Sequence, residues 1–255
     1  MSARLYVGTS GFSYPQWRGT FYPADLPPDQ MLAFYSRAFT TVELNTTFYR
    51  FPRLAQVDEW RRATPEGFRF SVKAHRNITH LKRLRDVDDL VSVQLERARR
   101  LGDRLGPLLV QLPPSLRRDV GLLRTFLALF PPMALAVEFR HASWHAEEVY
   151  TALAESRAAL VVMESDEDPP VLRFVGPFVY LRLHRSAYGP EAMATWAARA
   201  RDLLAQGRDV YAYFTHEDGA PAPAYAQTLA RLVAGTPEPD GGSTRRMGRT
   251  SGACC

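Results

Sequence analysis

The 255-residue chain has only two cysteines, Cys254 and Cys255, both at its very end. This scarcity excludes a disulfide framework and a cysteine-based zinc site, and it predicts a cytoplasmic protein. No run of 18 or more apolar residues is present, so we expect no membrane span. Residues 1–7 lack a long apolar stretch and lead directly into a strand pattern, so we also expect no signal peptide.

The glycine pattern excludes one class of nucleotide-binding protein. Gly8 and Gly11 follow the first apolar segment, but the third glycine of a dinucleotide-binding fingerprint is missing. A Rossmann fold is therefore not indicated, although such a turn is able to present backbone N–H groups to an anion. The net charge of +5 weakly favours anionic partners such as phosphates or nucleic acid.

What the chain does contain is an alternation of short apolar segments with amphipathic stretches. Segments rich in Val, Leu and Phe are typical of parallel strands buried on both faces. The predicted strands span residues 5–8, 40–44, 68–73, 107–112, 134–140, 159–163, 178–184 and 209–214. Helical patterns span residues 29–38, 54–63, 87–101, 120–129, 143–154, 191–204 and 224–233.

This alternation predicts an α/β protein with a single domain, a TIM (β/α)8 barrel over residues 1–235. A doubly wound sheet is the alternative, but it usually begins with a glycine-rich turn that this chain lacks. Residues 236–255 are rich in Gly, Ser, Thr and Arg and have no periodicity, which predicts a disordered tail.

The functional hypothesis starts from the second strand. Side chains alternate across a strand, so Val42 and Leu44 share one face while Glu43 and Asn45 share the other. An unpaired carboxylate is costly to bury. We therefore expect Glu43 to point into a polar space enclosed by the strands.

Polar side chains recur at the ends of the other strands, where a TIM barrel carries its chemistry. We therefore expect them to converge on one site. The candidate catalytic residues are Glu43, Lys73, Glu138 and Arg182. The candidate substrate-binding residues are Ser10, Tyr14, Trp17, Asn45, Tyr49, Gln111, Arg140, Trp144, His184 and His216.

These residue types suggest roles and an opposing interpretation. Glu43 and Glu138 are suited to general base and acid chemistry if their environments separate their pKa values, and Lys73 and Arg182 to stabilising negative charge. Alternatively, Glu43 with Lys73 and Glu138 with Arg182 form ion pairs that only fill the barrel. A Schiff-base role for Lys73 is disfavoured, because the neighbouring carboxylates are expected to keep it protonated.

Other side chains also have competing interpretations. Trp17 and Trp144 are equally explained by packing at the rim, and His75 and His80 are expected to be solvated. A divalent metal is a cofactor hypothesis without support from ligand spacing. Its candidate ligands are Glu43, Glu138, Glu164, Asp166, His184 and His216.

A set of motifs resembles the YecE-like family, known as domain of unknown function 72 (DUF72). The motifs are Gly8-Thr-Ser-Gly-Phe-Ser-Tyr14, Val42-Glu-Leu-Asn-Thr-Thr-Phe-Tyr-Arg50, Phe70-Ser-Val-Lys73 with Ile78-Thr-His80, Gln111-Leu-Pro-Pro114, Val137-Glu-Phe-Arg140 with Ser143-Trp144, and Tyr180-Leu-Arg-Leu-His184. The resemblance implies a TIM barrel and supplies no activity. The chain departs from the pattern at Arg185, where a glycine is typical, and at Thr215 and His216, where asparagines are typical.

Two functions compete. The first is a hydrolase or lyase acting on a phosphate-bearing substrate, with nucleic acid as one form of it, because Arg182, His184 and Arg185 follow the seventh strand, near where barrels commonly bind phosphate. The second is a non-catalytic barrel that binds a small anionic ligand or a protein partner. The two differ in what Glu138→Gln does, because an enzyme would keep binding and lose turnover.

Overall fold

Eight parallel strands close into a barrel, as the alternation predicts. The structure is a computed structural model that describes residues 2–215 and 221–235. Each strand pairs in parallel with the next, and the eighth returns to the first. The strands are β1 (Leu5–Ser10), β2 (Thr41–Leu44), β3 (Arg69–Lys73), β4 (Leu105–Gln111), β5 (Leu135–Glu138), β6 (Ala159–Ser165), β7 (Val179–His184) and β8 (Val210–Thr215). The prediction of a TIM barrel is confirmed.

Helices cover the outside of the barrel. They are α1 (Met31–Ala38), α2 (Thr46–Tyr49), α3 (Leu54–Arg62), α4 (Asp88–Arg99), α5 (Val120–Leu127), α6 (Glu147–Glu155), α7 (Pro190–Ala205) and α8 (Ala222–Ala234). The connection between β6 and β7, residues 166–178, is fully described and contains no helix. Pro169, Pro170 and Pro177 lie in it, and proline removes the backbone donors that a helix needs. The predicted disordered tail, residues 236–255, lies outside the described residues.

The alternation of side chains divides the core into two layers. Val42 and Leu44 point outward and pack with the helices, as expected. A smaller cluster fills the barrel interior, where Tyr6 stacks on Tyr211 with ring centroids 4.5 Å apart. These aromatic rings close the interior below the ends of the strands, so the polar interior residues lie above a packed floor.

A tyrosine from α1 completes the contact between β1 and β2. The hydroxyl of Tyr35 accepts a hydrogen bond from the Thr9 amide at 2.8 Å and donates one to the Thr41 carbonyl at 3.2 Å. A Cβ on Gly8 would lie 2.0 Å from that carbonyl oxygen. The close approach of the two strands at this point therefore requires glycine.

Candidate active site

Polar side chains from several strands meet at the carboxyl-terminal end of the barrel interior. We call this region the barrel mouth and define it by Ser10, Glu43, Lys73, Gln111, Glu138, Arg182 and His184. Because the strands are parallel and in register, with Ser10 beside Glu43 and Gln111 beside Glu138, their last residues reach the same level. The tertiary structure thus brings together side chains up to 174 positions apart in the sequence.

Arg182 is the centre of the barrel mouth. Its Nε and Nη2 donate to the two carboxylate oxygens of Glu43, at 3.0 and 2.8 Å, and its Nη1 donates to Glu138 at 2.6 Å. All three side chains are buried. Such a bidentate, charge-assisted arrangement fixes the positions of both partners as well as stabilising them.

Glu43 has a complete set of partners. Besides Arg182, the hydroxyls of Ser10 and Tyr180 each donate to it at 2.7 Å. Burial raises the pKa of Glu43, but the charges of Arg182 and Lys73 and these contacts outweigh burial, so the pKa lies below its ordinary value. The Glu43 carboxylate is therefore ionised and held rigidly.

Glu138 follows the same rule. Burial raises the pKa of Glu138, but the charges of Arg182 and Arg140 lower it by more, so the pKa lies below its ordinary value. Arg140 forms an ion pair with the second carboxylate oxygen of Glu138. The pKa values of Glu43 and Glu138 thus both lie below the ordinary value, so both carboxylates are ionised near neutral pH.

Of the two ion pairs in the alternative interpretation, Glu138 with Arg182 is present and Glu43 with Lys73 is not. Arg182 serves Glu43 and Glu138 together, so the two carboxylates are neutralised by Arg182 and Arg140. Lys73 is left over. Its ammonium makes no hydrogen bond and no ion pair with any residue in the described parts of the chain, and it lies 4.6 Å from the centroid of the Phe48 ring.

A short helix holds Phe48 against Lys73. The hydroxyl of Thr47 lies 2.6 Å from the Leu44 carbonyl and 2.7 Å from the Lys73 carbonyl, which ties α2 to the end of β3. Burial, together with Arg182, lowers the pKa of Lys73 to about 8. The carboxylates act in the opposite direction without cancelling this effect, so Lys73 is still mostly protonated near pH 7 but loses its proton more readily than an ordinary lysine.

Besides Oε1 of Glu138 and Nε of Arg140, which face each other in an ion pair, three polar atoms near the mouth are buried without a hydrogen-bond partner among the described residues. They are Nε2 of His184, Oδ1 of Asn45 and Oγ1 of Thr215. Burial and the charge of Arg182 lower the pKa of His184 well below its ordinary value, so its ring is neutral. Unsatisfied buried polar groups are uncommon in proteins, and each of these is able to bond a bound molecule.

His80 is a residue of this region that the sequence analysis assigned to solvent. Its ring meets the edge of Phe48 at 4.9 Å, and burial and Lys73 lower its pKa. It lies on a single π-helical turn, Asn77–Leu81, a distortion that often accompanies functional sites. Its place in the Ile78-Thr-His80 motif was the available signal. His75 is buried and stacks on Phe51, so its predicted solvation is wrong.

The remaining candidate residues differ in how far they are buried. Trp144 is fully buried, stacks on Phe139 and donates its indole N–H to the Leu116 carbonyl. It is therefore a packing residue, and its predicted contact with substrate is wrong. Trp17 is likewise buried in the outer core. Tyr14 is partly buried and donates its hydroxyl hydrogen to the Ser10 carbonyl, and Gln111 ends β4 beside Glu138. Tyr49 is 67% exposed on α2, and His216 lies outside the described residues.

Of the candidate metal ligands, Glu43, Glu138 and His184 belong to the barrel mouth, whereas Glu164 and Asp166 have partners outside it. Glu164 accepts a hydrogen bond from the indole of Trp196 on α7, and Asp166 contacts the Ser186 amide. Within residues 2–215 and 221–235, no three His, Cys, Asp or Glu side chains are arranged to hold a metal ion. A cavity of about 220 Å3 lies beside the mouth and is bordered by Arg140, Val161 and Met163. In the same described ranges, no helix is long and apolar enough to cross a membrane.

Comparison with known sequences identifies relatives over most of the chain. The family described as "Protein of unknown function DUF72" matches residues 6–246. UPF0759 protein YecE of Escherichia coli is 34% identical over 145 residues, which are 56% of this chain and 51% of YecE, so the match spans about half of that relative. UPF0759 protein YunF of Bacillus subtilis is 23% identical over 90% of this chain and 94% of YunF.

Solved structures agree with the fold. A DUF72 family protein from Thermotoga maritima has a TM-score of 0.81 and 28% identity, and the match covers 91% of this chain and 99% of that one. A DUF72 family protein from Enterococcus faecalis has a TM-score of 0.76 at 21% identity, covering 91% and 98%. The second likeness shows the fold alone.

Proposed function

This chain belongs to the DUF72 family, and we propose that its barrel mouth is the active site of a lyase or hydrolase that acts on a small phosphate-bearing substrate. The observation that carries the proposal is Lys73, a partly buried amine without an ion pair at the end of β3. An unpaired cation is costly to hold away from water. Such a cost is commonly retained where a ligand supplies the missing charge.

The charges of the mouth favour an anion. Glu43 and Glu138 are balanced by Arg182 and Arg140, so protonated Lys73 adds one uncompensated positive charge. Arg140 is partly exposed beside the cavity, which leaves part of its guanidinium available to a ligand. A phosphate placed between Lys73 and Arg140 would compensate this positive charge.

Glu43 and Arg182 act in this proposal as positioning residues. The donors of Arg182 are directed at the two carboxylates, and the four hydrogen bonds to Glu43 leave it no free role. Lys73, Arg140, His184 and Asn45 are the groups that contact substrate. Lys73 and the neutral histidines, rather than Glu43 and Glu138, therefore take part in the reaction.

A small substrate is favoured over nucleic acid by the surface arginines. Arg97, Arg100 and Arg104 form ion pairs with Glu96, Asp58 and Asp103. Arginines neutralised in this way contribute less to a phosphate backbone than free ones do. A non-catalytic barrel that binds the ligand without converting it is the alternative that the same experiment distinguishes.

The test is thermal unfolding of the full chain with inorganic phosphate, glycerol 3-phosphate or a short single-stranded DNA. A ligand of the native state raises the midpoint, and a concentration 100 times its Kd adds about 2.7 kcal/mol. We expect glycerol 3-phosphate to raise the midpoint of the wild type and to lose this effect in Lys73→Gln and Arg140→Gln. Arg85→Gln, which removes an exposed pair with Asp119, is the matched control.

The outcomes separate the hypotheses. A phosphate effect that survives both substitutions places the anion elsewhere and contradicts the proposal. An effect confined to DNA favours a nucleic-acid substrate. If a ligand binds at Lys73, phosphorus NMR of the mixture over hours follows its conversion, and binding without any conversion supports the non-catalytic barrel.

A further inference from the structure

The chain uses its two kinds of basic residue differently. Of 32 lysines and arginines only two are lysines, Lys73 and Lys82. Every ion pair within the described ranges uses an arginine. Arginine is effectively always charged, whereas lysine is able to lose its proton when buried. Lys73 is the cation of the barrel mouth that has no ion pair within the described residues. Because it is a lysine and not an arginine, it is able to act as a neutral amine.

We propose, resting on the function above, that Lys73 is a nucleophile that forms an imine with an aldehyde or ketone bearing a phosphate group. Two geometric features support this step. The amine has no competing ion pair among the described residues, and the Phe48 ring shields one side of it. Shielding an amine in apolar surroundings is a known means of activating it.

The reaction balances with Lys73, His80 and the carbonyl substrate alone. The lone pair of Nζ forms a bond to the carbonyl carbon, and the π electrons of the carbonyl move to its oxygen. His80 accepts a proton from Nζ and returns it to that oxygen. His80 then carries the second proton of Nζ to the resulting hydroxyl, which leaves as water with the electron pair of the carbon–oxygen bond. The electron pair left on nitrogen forms the carbon–nitrogen double bond, so the amine and the carbonyl yield one imine and one water.

His80 is suited to this transfer. Its ring touches the same Phe48 side chain as Lys73, and its Nδ1 is engaged with the Thr79 hydroxyl at 2.8 Å, which fixes the ring. Because burial and Lys73 lower its pKa, the imidazole is neutral and able to accept a proton. The other charged groups acting on Lys73 are Glu43, Glu138, Arg140 and Arg182.

Imine formation also explains why the carboxylates are kept away. A carboxylate paired directly with Lys73 would hold its proton. Arg182 prevents this by engaging both Glu43 and Glu138. Arg182, Glu43 and Glu138 take no direct part in the reaction, but their pairing determines how readily Lys73 loses its proton.

Reductive trapping tests the inference on the full chain. The protein is incubated near pH 7.5 with glycolaldehyde phosphate and sodium cyanoborohydride, and peptide mass spectrometry locates the adduct. We expect Lys73 to be labelled roughly tenfold faster than Lys82. Glycolaldehyde without phosphate should label Lys73 more slowly, and inorganic phosphate should protect it.

Lys82→Arg and Lys73→Arg complete the design. The first leaves Lys73 as the only lysine and should retain the adduct, while the second keeps the charge and should lose it. Equal labelling of the two lysines, or labelling confined to Lys82 and the terminal amine, would overturn the inference. If glycerol 3-phosphate raises the midpoint through Lys73 but no adduct forms, the imine is wrong and the anion site stands. If neither occurs, both fail.

Discussion

The guanidinium of Arg182 and the carboxylate of Glu43 face each other across the barrel through two hydrogen bonds of 2.8 and 3.0 Å. Neither side chain has more than 3% of its surface exposed. Removing one partner of such a buried pair leaves the other charge uncompensated, which costs more than the pair contributes. This relationship governs the stability of the mouth as well as the state of Lys73.

We predict that Glu43→Gln destabilises the protein by about 3 to 5 kcal/mol, because Arg182 loses its bidentate partner. For a domain of this size the midpoint of thermal unfolding should fall by roughly 6 to 20 °C. Urea unfolding measures the free energy directly. Glu148→Gln, which removes an exposed pair with Arg118, is the control and should cost under about 1 kcal/mol. Equal effects of the two substitutions would contradict the buried-pair account.

Acid should weaken the wild type more than Glu43→Gln. The folded-state pKa of Glu43 is below the ordinary value of 4.5 that applies to the unfolded chain. Its stabilisation is therefore present above pH 4.5 and is lost as the pH falls through the folded-state pKa. We expect urea unfolding between pH 6 and about 3 to give a shallower pH slope for the variant. Coinciding slopes would show that Glu43 does not carry this dependence.

Lys73→Met should stabilise the protein near pH 6.5 by about 1 to 2 kcal/mol, after allowing for partial exposure of the amine. The folded-state pKa of Lys73 is about 8, against an ordinary 10.5, so the unfolded chain binds more protons between these values. The stability of the wild type should rise with pH in this window, and the advantage of the variant should shrink.

Denaturant unfolding at pH 6.5, 8 and 9.5 measures this difference. Lys82→Met, at the other lysine, controls for the loss of a lysine and should change stability by less than about 0.5 kcal/mol. A variant less stable than the wild type at pH 6.5 would mean that the ammonium has a partner, and it would remove the basis of the functional proposal.

Gly8→Ala should destabilise the barrel by at least about 3 kcal/mol, because the new Cβ would lie 2.0 Å from the Thr41 carbonyl oxygen. Backbone cannot move aside there without opening the contact between β1 and β2. Gly121→Ala is the matched control in α5, where the nearest atom lies 3.6 Å away. The control should be neutral or stabilising by up to about 1 kcal/mol. Thermal unfolding compares the two, and similar midpoints would refute the close-approach argument.

Much of the fold was predictable from local patterns. The apolar segments predicted all eight strands, and the motifs predicted the family. Seven of the eight helices in the described residues were placed to within a few residues, as in the predicted 87–101 against the observed Asp88–Arg99, whereas the short α2, Thr46–Tyr49, was not predicted. The helix-free connection of residues 166–178 interrupts the rhythm where three prolines lie.

Histidine environments were less predictable. His75 and His80 lie in a polar stretch, which suggested solvent, but the chain after β3 turns inward against Phe51 and Phe48. Burial of these rings depends on residues from the loop after β2. For His75 no pattern in the neighbouring residues carries that information, and for His80 the available signal was its place in the Ile78-Thr-His80 motif.

By itself, the sequence determined the closed α/β architecture and the face on which each strand residue lies, because periodicity of two is a local property of the backbone. It therefore placed Glu43, Glu138 and Arg182 inside the barrel. Only the tertiary structure decided which charges pair, because partners on β2, β5 and β7 meet through closure and register of the sheet. That closure joined Arg182 to both glutamates and left Lys73 unpaired, since one guanidinium has enough donors to engage two carboxylates.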